Sequence, residues 1–275
     1  MSVLGPLVSG EWLAAHLDDV RVVDVRWYLG GPPGRDAYDE AHIPGAVFLD
    51  VDTELSEPAT TEHGRHPLAT PERFAAALGR AGIAEGTPVV AYDDRGGSIA
   101  ARLWWMLHVL GEPVAVLDGG LSAWSGELTT ELPTYPPVQR APRAWPPNAF
   151  VDADIVASGN AAVLDARTSE RFAHGDPAVD PQPGHIPGAR SAPWADNLDP
   201  DTGRFLPPGV LRERYAALAG DRRVIAYCGS GVTACHNLLA LDVAGIRGGA
   251  LYPGSWSQWA SDPSRPTEIG EFPGT

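Results

Sequence analysis

The run Cys228-Gly229-Ser230-Gly231-Val232-Thr233 holds a thiol where thiol chemistry is easiest to perform. An apolar run, Val224-Ile225-Ala226-Tyr227, ends at the cysteine. A helix-like run, Ala234-Cys235-His236-Asn237-Leu238-Leu239-Ala240-Leu241, begins just behind the loop. Strand, glycine-bearing loop and helix in that order set a sulfur over backbone N–H groups at the positive end of a helix. That field favours the thiolate, the reactive form of cysteine. Most free cysteines are buried core residues, but a strand end before Gly-x-Gly is not where such residues belong. We read Cys228 as a nucleophile. Cys235, about two helical turns further on, is expected to pack inward.

The elements that must position this thiol occur twice. Val22-Val23-Asp24-Val25-Arg26 returns as Val163-Leu164-Asp165-Ala166-Arg167, and His42-Ile43-Pro44-Gly45-Ala46 returns as His185-Ile186-Pro187-Gly188-Ala189. Val89-Val90-Ala91-Tyr92-Asp93 returns as Val224-Ile225-Ala226-Tyr227-Cys228, and Gly119-Gly120-Leu121-Ser122-Ala123-Trp124 as Gly254-Ser255-Trp256-Ser257-Gln258-Trp259. Four segments in the same order mark an internal repeat. Asp93 stands at the cysteine position of the first copy, so only the second copy can do thiolate chemistry.

In each copy short apolar runs alternate with amphipathic ones. Val22–Val25, Val89–Tyr92 and Val114–Leu117 read as buried strands, with Pro71–Leu78 and Ser98–Leu110 as helices between them. Ala162–Ala166, Val224–Tyr227 and Ala250–Tyr252 repeat the strands, and Val210–Leu218 and Thr233–Ala244 the helices. Such alternation predicts the α/β class, with a parallel sheet covered by helices on both faces. Functional crevices of these sheets lie beyond the carboxyl ends of the strands, where Cys228 falls. Residues 1–130 are expected to form a non-catalytic domain and 150–275 the catalytic one. The proline-dense stretch 131–149 between them favours an extended, semi-rigid linker.

Composition excludes other chemistries. A net charge of −15 over 275 residues argues against nucleic acid or an anionic membrane as partner, since both need clustered cations. All 20 basic residues are arginine, so neither a Walker A lysine nor a Schiff-base lysine exists here. No apolar run reaches membrane-spanning length, and the first residues lack the pattern of a secretory signal. A cytoplasmic location is expected, and two cysteines form no disulfide framework.

The repeat, the inactive first copy and the Cys-Gly-Ser-Gly-Val-Thr loop resemble the two-domain rhodanese family of sulfurtransferases, over nearly the whole chain from Leu7 to Trp259. The resemblance implies two tandem rhodanese-like domains and sulfur transfer through a persulfide on Cys228, with no cofactor and no metal. Gly229 and Ser230 after the cysteine resemble the 3-mercaptopyruvate form; thiosulfate-using relatives carry Arg-Lys there. The implied partners are a small sulfur donor (3-mercaptopyruvate, alternatively thiosulfate) and an acceptor such as cyanide, a small thiol or thioredoxin. The family's Ser-His-Asp relay falls on Ser230, His66 and Asp52. Arg171 matches the arginine that holds the donor's anionic group, while Gly229, Gly231, Val232 and Thr233 supply loop amides around it. A second arginine usual in mercaptopyruvate enzymes is missing from Asp176-Pro177-Ala178-Val179-Asp180-Pro181-Gln182-Pro183, and Arg190 could substitute only if its backbone pointed it inward.

Residues present in both copies call for a plainer reading. Asp24/Arg26, Asp165/Arg167, His42 and His185 are expected to be structural, as is the tryptophan group Trp104, Trp105, Trp124, Trp256 and Trp259. His63 and His66 are not joined by further ligands of a zinc site. A cysteine phosphatase of this fold needs an arginine where this chain has Ala234. A non-catalytic persulfide carrier is the remaining alternative.

Overall fold

Runs of branched apolar residues, buried along their whole length, become the central strands. A computed structural model describes residues 4–270 and divides them into two units. The first takes the chain up to Glu57, Leu68–Trp145 and Asp199–Phe205; the second takes Pro58–Pro67, Pro146–Leu198 and the chain from Leu206 onward. The loop Pro58–Pro67 thus belongs to the second unit although the first copy surrounds it in sequence.

The first unit contains β1 (Leu7–Val8), β2 (Arg21–Asp24), β3 (Val47–Phe48), β4 (Val89–Tyr92) and β5 (Val114–Leu117). They pair in parallel in the order β1-β5-β4-β2-β3. The second contains β6 (Ala162–Asp165), β7 (Arg190–Ser191), β8 (Val224–Tyr227) and β9 (Ala250–Leu251), parallel in the order β7-β6-β8-β9. A single parallel bridge from Phe150 to Leu251 stands where β1 meets β5 in the first sheet. β4, β5, β6 and β8 are buried at every residue, as sheets covered on both faces require.

The expected helices form with shifted ends. Pro71–Arg80 is capped by Thr70, whose Oγ1 accepts from the Arg73 N–H at 3.3 Å. Pro208–Ala219 begins before the expected Val210 because proline suits a first helical turn. Ala100–Val109 starts later than Ser98, since the Asp93 carboxylate takes the N–H groups of Ile99 and Ala100 at 2.7 and 2.8 Å. Two-residue strands such as β3 and β7, and the short helices Gly34–Glu40 and Ser169–His174, leave no period long enough to read.

The doubled motifs are scaffolding. Arg26 grips Asp24 at 2.6 Å and donates to the Ala41 carbonyl at 2.7 Å; Arg167 grips Asp165 at 2.7 Å and donates to the Gly184 carbonyl at 2.8 Å. Each pair therefore ties a strand end to the residue before a His-Ile-Pro-Gly turn. His42 stacks on Tyr38 and His185 on Phe172, with ring centroids 4.0 and 3.7 Å apart. Burial holds His185 below the usual histidine range. Trp104, Trp105, Trp256 and Trp259 are core residues of their own units.

The proline-rich stretch after the first copy is extended and tied to the first unit. Thr129 bridges His42, the Tyr135 hydroxyl donates to Gly45, and Trp145 Nε1 donates to Ala69 at 2.9 Å. Arg140 meets Glu112 at 2.6 Å with both side chains buried. No helix of the described residues is long and apolar enough to cross a membrane.

Candidate active site

β8 delivers Cys228 to the carboxyl end of its sheet, and three backbone ties fix the loop that follows. The Trp256 N–H donates to the Cys228 carbonyl and the Ser257 N–H to the Gly229 carbonyl, both at 2.9 Å. The Cys228 N–H donates to Ser255 Oγ at 3.2 Å. The sulfur accepts from the Gly231 N–H at 3.1 Å, and the helix Ala234–Val243 begins behind Val232 and Thr233. Cys235 is fully buried and points its thiol at the Gly231 carbonyl, 3.4 Å away. Its role is to hold the loop.

Ser255 has φ +52°, a conformation that costs a non-glycine residue about 1–3 kcal/mol. The first copy places Gly120 there, with φ +62°. The strain secures a hydroxyl that accepts from Cys228 and donates to the Tyr252 carbonyl at 2.9 Å. Ser255→Ala keeps the strain and orphans the Cys228 N–H, so its denaturation midpoint should correspond to a loss of about 1–3 kcal/mol. Ser255→Gly relieves the strain as it removes the hydroxyl and should lose measurably less.

Asp93 shows what the loop architecture accommodates. Its buried carboxylate accepts from the N–H groups of Arg95, Gly97, Ile99 and Ala100 at 2.7–2.8 Å. Burial pushes the carboxyl above its usual value, opposed by those four donors. The first copy therefore presents a nest of amides filled by its own anion. The second copy has a thiol at the corresponding position.

Pro58–Pro67 brings a histidine to that thiol's loop. Residues 60 and 64 pair as a small hairpin, with the Thr60 N–H to the Gly64 carbonyl at 3.1 Å and the Gly64 N–H to the Thr60 carbonyl at 2.8 Å. His63 is exposed beside Thr60. His66 is buried, and its Nδ1 lies 2.7 Å from Ser230 Oγ, so the two share one proton. Asp52, in the first unit, accepts from Trp27 Nε1 at 2.9 Å.

Arg171 leaves the helix Ser169–His174 and is held by Asp180 through Nε at 3.1 Å and Nη2 at 2.5 Å. Asp180 also receives Arg167 at 3.5 Å, so the structural Asp165–Arg167 pair extends through Asp180 to Arg171. Its position in the arginine-free segment gave no hint of this. Arg190 Nη1 donates to the Ala217 and Leu218 carbonyls at 3.3 and 3.2 Å, at the end of the helix Pro208–Ala219. Gly229 faces two guanidinium groups. A Cβ there would lie 2.9 Å from Arg65 Nη2 and 3.2 Å from Arg171 Nη2. Arg65 and Ser255 were passed over in sequence; for Ser255 the signal was available, as the repeat sets it against Gly120.

The rhodanese-like domain family matches residues 9–127 and 152–262. The chain belongs to the rhodanese family. A Pseudomonas aeruginosa relative, named a probable 3-mercaptopyruvate sulfurtransferase, is 44% identical over 96% of this chain and 98% of its own. A Mycobacterium tuberculosis relative, provisionally named a thiosulfate sulfurtransferase, is 39% identical over 96% of this chain and 97% of its own. The solved 3-mercaptopyruvate sulfurtransferase from Leishmania major is similar at 30% identity with a TM-score of 0.82, covering 93% of this chain and 74% of that one. Tandem rhodanese domains with one thiol-bearing loop thus account for the chain from Ser9 to Asp262.

Proposed function

We propose that this protein is a sulfurtransferase that moves a sulfane sulfur from 3-mercaptopyruvate to a thiophilic acceptor through a persulfide on Cys228. The observation that carries the donor is the buried His66–Ser230 pair on the nucleophile's loop. The Cys228 thiolate attacks the donor sulfur, an S–S bond forms and the donor's C–S bond breaks. The electron pair leaves on carbon as the enolate of pyruvate. That carbon needs a proton, which Ser230 supplies as His66 replaces it. The amides of Gly229 to Thr233 surround the charge that develops on sulfur. Arg171 grips the donor's carboxylate, a match of planar fork to planar anion. In the second half-reaction cyanide, a small thiol or thioredoxin takes the outer sulfur and returns the thiolate.

Thiosulfate is the second reading. The two guanidinium groups at Gly229 would also suit a dianion, but its sulfite leaving group needs no proton at carbon. The Arg-Lys loop of thiosulfate-using relatives would require the Arg65 and Arg171 guanidinium groups to shift, since a Cβ at 229 would lie 2.9 and 3.2 Å from them. Ser230→Ala separates the two. With mercaptopyruvate kcat should fall about 10²–10⁴-fold, the usual worth of a general acid, while thiosulfate turnover should change less than about tenfold. Equal losses with both donors would reduce Ser230 to a loop-shaping residue and favour thiosulfate.

A further inference from the structure

Arg171 meets the donor while already holding a carboxylate of its own. Asp180 takes the side edge of the guanidinium, with Nε at 3.1 Å and Nη2 at 2.5 Å. Nη2 carries a second N–H and lies 3.2 Å from where a Cβ on Gly229 would stand. The end edge of the fork is therefore the one turned to the cysteine loop. The bond to Asp180 fixes which way Arg171 faces and leaves an anion a place on it.

The same bond sets the charge there. Arg167 is gripped by Asp165 at 2.7 Å and reaches Asp180 only at 3.5 Å, so the charge of Asp180 falls mainly on Arg171. Two carboxylates and two guanidinium groups sum to zero. The Asp180 side chain is 2% exposed, so dissolved salt screens it little. The Asp176 N–H, donating to it at 2.9 Å, anchors it from the other side. Its field extends over the loop as well. Burial pulls the Arg65 guanidinium below the usual arginine range, and attraction to Cys228 and Asp180 opposes that.

Charge matters here because the two candidate donors differ in it. The carboxylate of mercaptopyruvate carries one negative charge, and thiosulfate carries two. Oriented N–H groups serve an oxygen of either donor, whereas the second charge of thiosulfate is met only by a net positive field. One unit charge a few ångströms away, near a protein surface, changes affinity about three- to thirtyfold for each unit of charge on the ligand.

We propose that Asp180 sets the charge selectivity of the donor site: it keeps Arg171 as an aimed hydrogen-bond donor and cancels the net charge that a dianionic donor needs. Asp180 is a positioning residue that acts through Arg171, and it favours the singly charged donor over the doubly charged one. The identity of those donors rests on the sulfurtransferase reading; the offset charge does not.

Alkylation of Cys228 by iodoacetate and by iodoacetamide reads that charge directly. In both, the thiolate sulfur bonds to the methylene carbon and iodide leaves, but only the first reagent is an anion. Both react through one thiolate, so the ratio of their rates cancels any change in thiolate fraction. Asp180→Asn should raise the ratio of iodoacetate to iodoacetamide rates about three- to thirtyfold, and Asp180→Ala, a second neutral variant, should raise it too. Asp180→Glu keeps the charge and should stay within about twofold of the wild type. A loosened loop alone would slow both reagents alike and leave the ratio where it was. With sulfur donors, Asp180→Asn should raise kcat/KM for thiosulfate relative to mercaptopyruvate by a similar factor, mainly through a lower KM for thiosulfate. A ratio unchanged or lowered in both neutral variants overturns the proposal, as does a rise in Asp180→Glu equal to that in Asp180→Asn. A raised ratio in Asp180→Asn, beside a wild type that takes sulfur from neither donor, sinks the sulfurtransferase reading and leaves the charge offset standing.

Discussion

Cys228→Ser should abolish sulfur transfer, with a loss of about four orders of magnitude or more. Serine has nearly the size of cysteine, so the loop can close around it, and the Gly231 N–H that meets Sγ at 3.1 Å finds a hydroxyl oxygen. What disappears is the nucleophile, because an alkoxide is not accessible near neutral pH as a thiolate is. Mass spectrometry after exposure to donor should show one added sulfur on the wild type and none on the variant. Cys235→Ser provides the contrast. Its thiol donates to the Gly231 carbonyl, a bond a hydroxyl also makes, so activity should stay within about threefold and stability should fall by about 1 kcal/mol. Matching losses in the two variants would mean that the loop's shape, not the Cys228 sulfur, had been lost.

The nucleophile was readable because it is marked locally. A buried strand, a glycine loop and a helix follow one another within one short stretch, and the repeat shows which side chain departs from the scaffold. The same repeat allowed Asp165/Arg167 and His185 to be set aside, and their bonds to Gly184 and Phe172 explain why they are doubled. Parts of the site that come from outside the stretch were harder to see. Pro58–Pro67 has no apolar period, and its docking depends on a glycine that fits beneath Gly254 and Ser257. His66 was reachable only through the family's relay, and Arg65 beside it drew no role. Asp180 has no local pattern at all; its importance comes from two arginines that converge on it. Elements of two residues, such as β7, form because a neighbour pairs with them rather than because their own sequence demands it.

Asp93→Ala should unfold more protein than any other single change considered. The carboxylate serves four backbone donors at once, and alanine serves none. Each buried donor left unmet costs about 1–3 kcal/mol, and some relief comes as the loop relaxes or water enters. A net loss of about 3–6 kcal/mol is therefore expected, a large part of the roughly 5–15 kcal/mol that holds an ordinary domain together. Denaturant titration should show the first unit melting earlier, with the second less affected. Asp93→Asn should fare little better, because its NH₂ group brings donors to a site already filled with donors. Catalysis behaves differently: Asp93 has no thiol, and Arg95 stands where the active loop has Ser230. The fraction of Asp93→Ala that remains folded should retain kcat within about tenfold of the wild type. A stable variant with activity as low as that of Cys228→Ser would mean that the first copy takes part in the chemistry rather than only carrying the fold.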